Sequence, residues 1–321
     1  MTSPYSSGVI GTYPTSSGNS KSDPLLVWGY KWGASGTGTS ATVSYSFPQY
    51  GATWLNDYWS QEPFNGFQPF TAAQQDAAQQ ALASWSEVAN ISFAEVTETA
   101  SDVGDIRFGN SAVVTNSTAA AWAYFPYDDP IYEYPESGDV WFDHQYAPNL
   151  QLAPGQFGFS TMVHEIGHAI GLDHPFADGF GEPVLPAAQD NQRYSIMSYT
   201  LYGGSTIEAY GPMMYDILAI QYIYGANMTT RAGDDVYTFS SSKEYLEVIW
   251  DAGGHDTIDL SNQVRNQVID LREGTFSSIG IKNNGQTAVG NVGIAFNVTI
   301  EDAIGGKGGD AIIGNNVDNY L

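Results

Sequence analysis

HEIGHAIGLDHP, residues 164–175, gathers three of the chain's five histidines at spacings that a single metal ion can use. Residues four apart on a helix share a face, so His164 and His168 point the same way, with Glu165 one step around the turn. That gives two imidazole ligands and a carboxylate beside them. Gly171 permits the left-handed backbone that ends the helix. The chain then turns back so that His174 meets the same point from outside, and Pro175 forbids helical continuation. Two histidines at this spacing with a glutamate between them are a zinc signature in which the glutamate is a general base.

These residues resemble the metzincin metallopeptidases, whose motif H-E-x-x-H-x-x-G-x-x-H is matched in full by His164, Glu165, His168, Gly171 and His174. SIMSY, residues 195–199, supplies Met197 for the methionine turn that follows this motif beneath the zinc. The stretches DNQRYSIMSY (190–199) and MMYDILAIQYIYGAN (213–227) resemble the serralysin branch specifically. In that branch the tyrosine two residues after the methionine, here Tyr199, reaches the zinc. The resemblance implies one catalytic Zn²⁺ held by His164, His168, His174 and, at rest, Tyr199, with Glu165 and Tyr199 in the chemistry.

There is no cysteine among the 321 residues, which excludes disulfides, thiol catalysis and cysteine-bound zinc. With 10 basic against 35 acidic residues the net charge is −25, which disfavours nucleic acid and anionic membrane surfaces and welcomes calcium. No basic, apolar leader opens the chain and no apolar run is long enough to span a bilayer. Likeness to serralysins implies export through a C-terminal signal, hence a secreted, extracellular protein. It also implies a monomer whose partners are protein or peptide substrates and a proteinaceous inhibitor.

In chain order, residues 1–22 are rich in Ser, Gly and Thr and are expected to form a flexible N-terminal arm or the remnant of a removed pro-segment. LLVWGYKWG (25–33) and ATVSYSFPQYG (41–51) are strand candidates or short connecting pieces between glycines. FTAAQQDAAQQALASWSEVAN (70–90) is a helix capped by Thr71 with Gln74, its Ala78, Leu82, Trp85 and Val88 on one face. ISFAEV (91–96) and DIRFGN (105–110) are strands, and this alternation predicts a mixed sheet with the zinc helix packed on it. AAAWAYFPY (119–127) lies where the family places its edge strand, either open to pairing with a substrate backbone or an ordinary strand with aromatic packing. The acidic, turn-rich DDPIYEYPESGD (128–139) is expected as a cleft-side loop. PMMYDILAIQYIYG (212–225) is a helix from Pro212 to Gly225 that buries Ile217, Ile220 and Tyr224.

From about residue 228 the composition shifts to Gly, Asp and Asn, and AIGGKGGDAIIGNN (303–316) matches the repeat of calcium-binding parallel β-rolls. Glycines turn the backbone so that carbonyls face one point, and Asp supplies charge for a hard cation. The resemblance implies several structural Ca²⁺ ions. One would lie among Arg231, Gly233, Asp235, Asp251, Gly253 and Asp256, and a second among Gly254, Asp256, Thr299 and Glu301. A third would begin at Gly306, Gly308 and Asp310. His144 and His255 are assigned no ligand role, and Asp173 is either packed beside the zinc loop or solvated. The repeats end early, so the chain is expected to be truncated or naturally short.

The expected architecture is an α+β metzincin-type protease domain over residues 23–227, with a mixed sheet plus helices, followed by an incomplete β-roll over 228–321. The expected activity is hydrolysis of peptide bonds with broad specificity. The rival is a calcium-dependent adhesive or surface-layer protein keeping zinc for structure, which would not need Glu165 and would close the metal with a fourth protein ligand. A metal hydrolase acting on non-peptide bonds is a third option.

Overall fold

The computed structural model describes residues 8–56, 58–59, 61–128, 134–177 and 181–321. In chain order, the first half contains β1 (Ile10–Thr12), β2 (Tyr30–Trp32), β3 (Ala41–Ser46), β4 (Gln68–Pro69) and α1 (Ala72–Val88). Then come β5 (Ile91–Glu95), β6 (Ile106–Asn110), α2 (Ala112–Thr115), β7 (Ala121–Ala123), β8 (Val140–Phe142), α3 (Phe157–Ala169) and α4 (Met214–Tyr224).

Helix α1 starts as its sequence dictates. The Thr71 hydroxyl accepts from the Gln74 N–H at 3.3 Å while Gln74 Oε1 accepts from the Thr71 N–H at 3.0 Å, a reciprocal cap. Its Ala78, Leu82, Trp85 and Val88 are all buried. The sheet runs β5-β3-β6-β8-β7, with β4 pairing antiparallel to β6. The pairs among β5, β3, β6 and β8 are parallel, and β7 joins β8 antiparallel at the rim. The expected mixed sheet is therefore present, and DIRFGN supplies a strand buried along its whole length. Helix α3 packs on α1 and on β7, so the motif helix faces the sheet edge.

The C-terminal end of α3 explains why residues 8–22 are not a free arm. A helix end leaves carbonyls without intrahelical partners. Here Trp32 Nε1–H donates to the Ala169 carbonyl at 2.7 Å, the Tyr224 hydroxyl to Ile170 at 2.9 Å and the Tyr13 hydroxyl to Gly171 at 3.0 Å. Tyr13 is buried, and β1 pairs antiparallel with β2. The described part of the expected arm is thus packed, because Tyr13 satisfies a carbonyl of the motif turn. Two boundaries also differ. Only Tyr30–Trp32 of LLVWGYKWG is a strand, since Asp23–Leu25 form a 3-10 turn that buries Leu25. Helix α4 starts at Met214 rather than Pro212, because Met213 is extended and its N–H donates to Asp216 Oδ2 at 2.8 Å.

Residues 228–321 form short strands: β9 (Val236–Thr238), β10 (Glu247–Ile249), β11 (Thr257–Asp259), β12 (Val268–Asp270), β13 (Phe276–Ser277), β14 (Val292–Ile294), β15 (Asp302–Ile304) and β16 (Ala311–Ile313). β9-β11-β15, β10-β14 and β12-β16 are parallel, while β13 pairs antiparallel with β14. One apolar core runs from α1 and α3 through α4 to β10 and β14. No helix among the described residues is long and apolar enough to cross a membrane. Residues 129–133 of the acidic loop lie outside the described residues.

Candidate active site

Gly171 adopts φ +110°, and a Cβ there would stand 2.7 Å from the Tyr30 carbonyl. Both the turn and the close approach require glycine. The turn swings His174 back, so that a ring nitrogen from each of His164, His168 and His174 falls within 4.8 Å of the other two. The Nε2 atoms face one another, at 3.0 Å from His168 to His174 and 3.3 Å from His174 to His164.

Second partners fix the tautomers. His164 Nδ1 lies 2.9 Å from the Ile196 carbonyl and His168 Nδ1 lies 2.7 Å from the Leu172 carbonyl. A carbonyl only accepts, so each Nδ1 carries the proton and each Nε2 presents a lone pair. Burial holds His164 down at about 4 and His174 at about 3, the latter helped by the charge of His164. Burial, then both neighbouring histidines, holds His168 well below the usual range. Neutral imidazoles whose lone pairs converge are a donor set for a divalent cation such as zinc.

Glu165 is buried beside them, its Oε2 without a hydrogen-bond partner among the described residues. Burial pushes its carboxyl up to about 8, against the pull of the Ala123 N–H. Tyr199 is not a core residue: it is 68 % exposed, its ring 4.7 Å from that of His174 and 5.5 Å from that of His164. Met197, by contrast, is fully buried under α3, where a Cβ on Gly167 would come within 2.5 Å of its sulfur. Asp173 is packed rather than solvated, its Oδ1 accepting from the His174 N–H at 2.7 Å. A cleft of about 600 Å³ opens here, bounded by Ala119–Ala121 on one side and by Glu165, Gln192 and Tyr199 on the other.

Sequence reading missed Asp216. It is fully buried on α4, with the Ser195 hydroxyl on Oδ1 and the Ile196 N–H on Oδ2, both at 2.6 Å. It therefore holds the turn whose Ile196 carbonyl orients His164. An acid three residues after the start of a helix is a capping signal, and PMMYD carried it.

In the C-terminal half, carboxylate oxygens of Asp235, Asp251 and Asp256 lie within 4.8 Å of one another. Asp256 Oδ2 is buried with no hydrogen-bond partner among the described residues. Burial, then the charges of Asp251 and Glu301, pushes Asp256 up to about 6, while the Asp235 N–H pulls it down. Such a cluster suits a hard cation. Arg231 has φ +48°, and a Cβ on Gly254 would strike the Gly233 carbonyl at 2.1 Å, so this loop is tightly folded against Gly253 and Gly254. Glu301 joins through its Oε2, which accepts from the Asp256 N–H at 2.8 Å, whereas Thr299 is exposed. Asp310 accepts from the Gly306 and Gln267 N–H groups, and Gly308 abuts Arg265. No comparable cluster forms around Asp310 among the described residues. His144 meets Gln68 and exposed His255 meets Asp302, both away from the triad.

Residues 67–180 match the family described as Matrixin, and residues 221–321 match the family described as Peptidase M10 serralysin C terminal. Serralysin of Proteus mirabilis is 40 % identical over 314 residues, covering 88 % of this chain and 61 % of that protein. Metallopeptidase AprA of Pseudomonas marginalis is 40 % identical over 285 residues, covering 80 % and 57 %. Serralysin G of Dickeya chrysanthemi is 36 % identical over 339 aligned residues, covering 98 % and 68 %. The chain thus spans about three fifths of the length of the first two relatives.

Proposed function

The chain belongs to the serralysin-type M10 metallopeptidases, and on that premise we propose that it is a zinc-dependent endopeptidase that hydrolyses peptide bonds in proteins. The observation that carries the reading is the convergence of three imidazole ring nitrogens beside buried Glu165, in a cleft bordered by a sheet edge. His164, His168 and His174 would hold Zn²⁺, which when bound polarises the scissile carbonyl and acidifies water. No fourth histidine, aspartate or glutamate joins the triad among the described residues, which favours a reactive site over a closed structural one.

Each residue then has a task. Glu165 takes a proton as water attacks the carbonyl carbon, and hands it to the amine nitrogen as the C–N bond breaks. The Tyr199 hydroxyl gives a hydrogen bond to the oxyanion. The free edge of β7 pairs with the substrate backbone, which reads main chain rather than side chains and suits broad specificity.

The same proposal covers the C-terminal half as a calcium-binding β-roll. Asp235, Asp251 and Asp256, with carbonyls of Arg231, Gly233 and Gly253, form its most complete site. Gly254, Thr299 and Glu301 would complete a neighbouring site and Gly306, Gly308 and Asp310 begin another. Secretion and extracellular action follow from the family likeness. Casein digestion with and without a zinc chelator, with metal content measured alongside, tests the reading. A Glu165→Ala variant that keeps its zinc and still turns over casein at the wild-type rate would sink the mechanism.

A further inference from the structure

Glu62 sits on the turn Glu62–Phe64 and is fully buried. Its Oε1 accepts two hydrogen bonds, from Trp122 Nε1–H at 2.9 Å and from the Tyr124 hydroxyl at 2.5 Å. Both donors come from the sheet edge, two residues apart and therefore on one face of it. They pack on a small apolar cluster of Tyr58, Val114 and Trp141, separate from the main core.

The backbone alternates with the side chains. The Ala120 carbonyl accepts from the Asp143 N–H, while Tyr124 gives its N–H to Asp139 and takes one from Gly138. Even-numbered residues thus bond inward to β8, so Ala121 and Ala123 turn their N–H and C=O groups to the free edge. The Ala123 N–H reaches the Glu165 carboxylate. One buried carboxylate therefore pins both residues that flank Ala123.

We propose that Glu62 is a positioning residue that fixes the free edge of β7 for pairing with an extended peptide backbone. A three-residue rim strand has little to hold it, and two hydrogen bonds to one buried acceptor fix both residues that flank Ala123. Freed of Glu62, Trp122 and Tyr124 lose their acceptor and the edge drifts. The inference rests on the peptide-hydrolase reading given above.

Glu62→Leu removes the acceptor while keeping an apolar filling. Glu62→Gln keeps an acceptor for Trp122 and Tyr124 and puts an amide in place of Oε2, which like Glu136 Oε2 is buried without a hydrogen-bond partner among the described residues, Glu136 being close enough to feel the Glu62 carboxyl. Against hexapeptide substrates, Glu62→Leu should lower kcat/KM about tenfold or more, mainly through KM, because small misplacements of a binding edge are amplified. Short substrates that do not reach β7 should change far less, and Glu62→Gln should restore the wild-type values. Zinc content should be equal in all three proteins. Hydrogen exchange at the Tyr124 amide should quicken in the Leu variant and not in the Gln variant. Equal losses for short and long substrates, or unchanged exchange at Tyr124, would overturn the inference. Should Glu62→Leu not fold, Tyr124→Phe removes one donor and is read in the same way. A wild-type protein inert toward every peptide sinks the hydrolase reading, and the exchange measurement then decides the role of Glu62 alone.

Discussion

Tyr199 is exposed at the cleft and Glu165 is buried against the helix, yet cutting back either should cost turnover and spare zinc. Glu165→Ala should keep zinc and lose about 10²–10⁴ in turnover, the usual worth of a positioned base. Replacing His168 or His174 should instead abolish zinc retention, since each is one of three imidazoles converging on a point. Tyr199→Phe should lower kcat by about 10²–10³ with KM and zinc content little changed, as expected for a donor used only in the transition state. Its exposure makes loss of packing a poor explanation for such a drop. Single-turnover kinetics with metal analysis separates these cases. The motif residues were legible because spacing on a helix is geometry already written in the chain. Glu62 was not, since a lone glutamate in SQEPFNG gives no sign that two rim donors sixty residues away will close on it.

At the scale of elements, the site hangs on the buried junction between the methionine turn and α4. Asp216→Ala would leave the Ser195 hydroxyl and the Ile196 and Met213 N–H groups without their acceptor, at about 1–3 kcal/mol each. We expect a lower Tm and zinc affinity weakened about 10- to 100-fold, because the displaced Ile196 carbonyl no longer orients His164. Burial pushes the Asp216 carboxyl up to about 7, against donors from Ser195, Ile196, Met213 and Met197. Its folded pKa thus lies above its unfolded value, so unfolding releases a proton between about pH 4 and pH 7. Stability from this group is full below pH 4 and falls as pH rises to 7, by at most about 1.4 kcal/mol per unit. Urea unfolding of Asp216→Asn in chelator should lack that slope. Periodicity and caps made α1 and α4 readable in advance, but not the packing of Tyr13. Its partner is a helix-end carbonyl 158 residues away, and such pairings leave no local pattern.

The whole molecule carries a net charge of −25, and its two halves share one core. Hydrogen bonds also tie them: the Thr230 hydroxyl to the Glu87 carbonyl at 2.7 Å, Trp250 Nε1–H to that of Asn227 at 3.0 Å, and the Tyr202 hydroxyl to that of Val289 at 2.9 Å. Calcium at Asp235, Asp251 and Asp256 would neutralise the densest group of carboxylates in residues 228–321. An ion bound only by the folded state adds about 2.7 kcal/mol at a hundredfold excess over its Kd. Chelation should therefore lower the melting of residues beyond about 228 first. The shared core then makes the catalytic half follow within a narrow interval rather than stand alone. Raised salt should recover part of the loss by screening the exposed acids, whereas Asp256→Asn should melt at the chelated temperature whether or not calcium is added. Calorimetry with and without calcium, repeated on Asp256→Asn, measures each step. A wild-type transition that does not move with calcium would end the β-roll reading while leaving the zinc site as it stands.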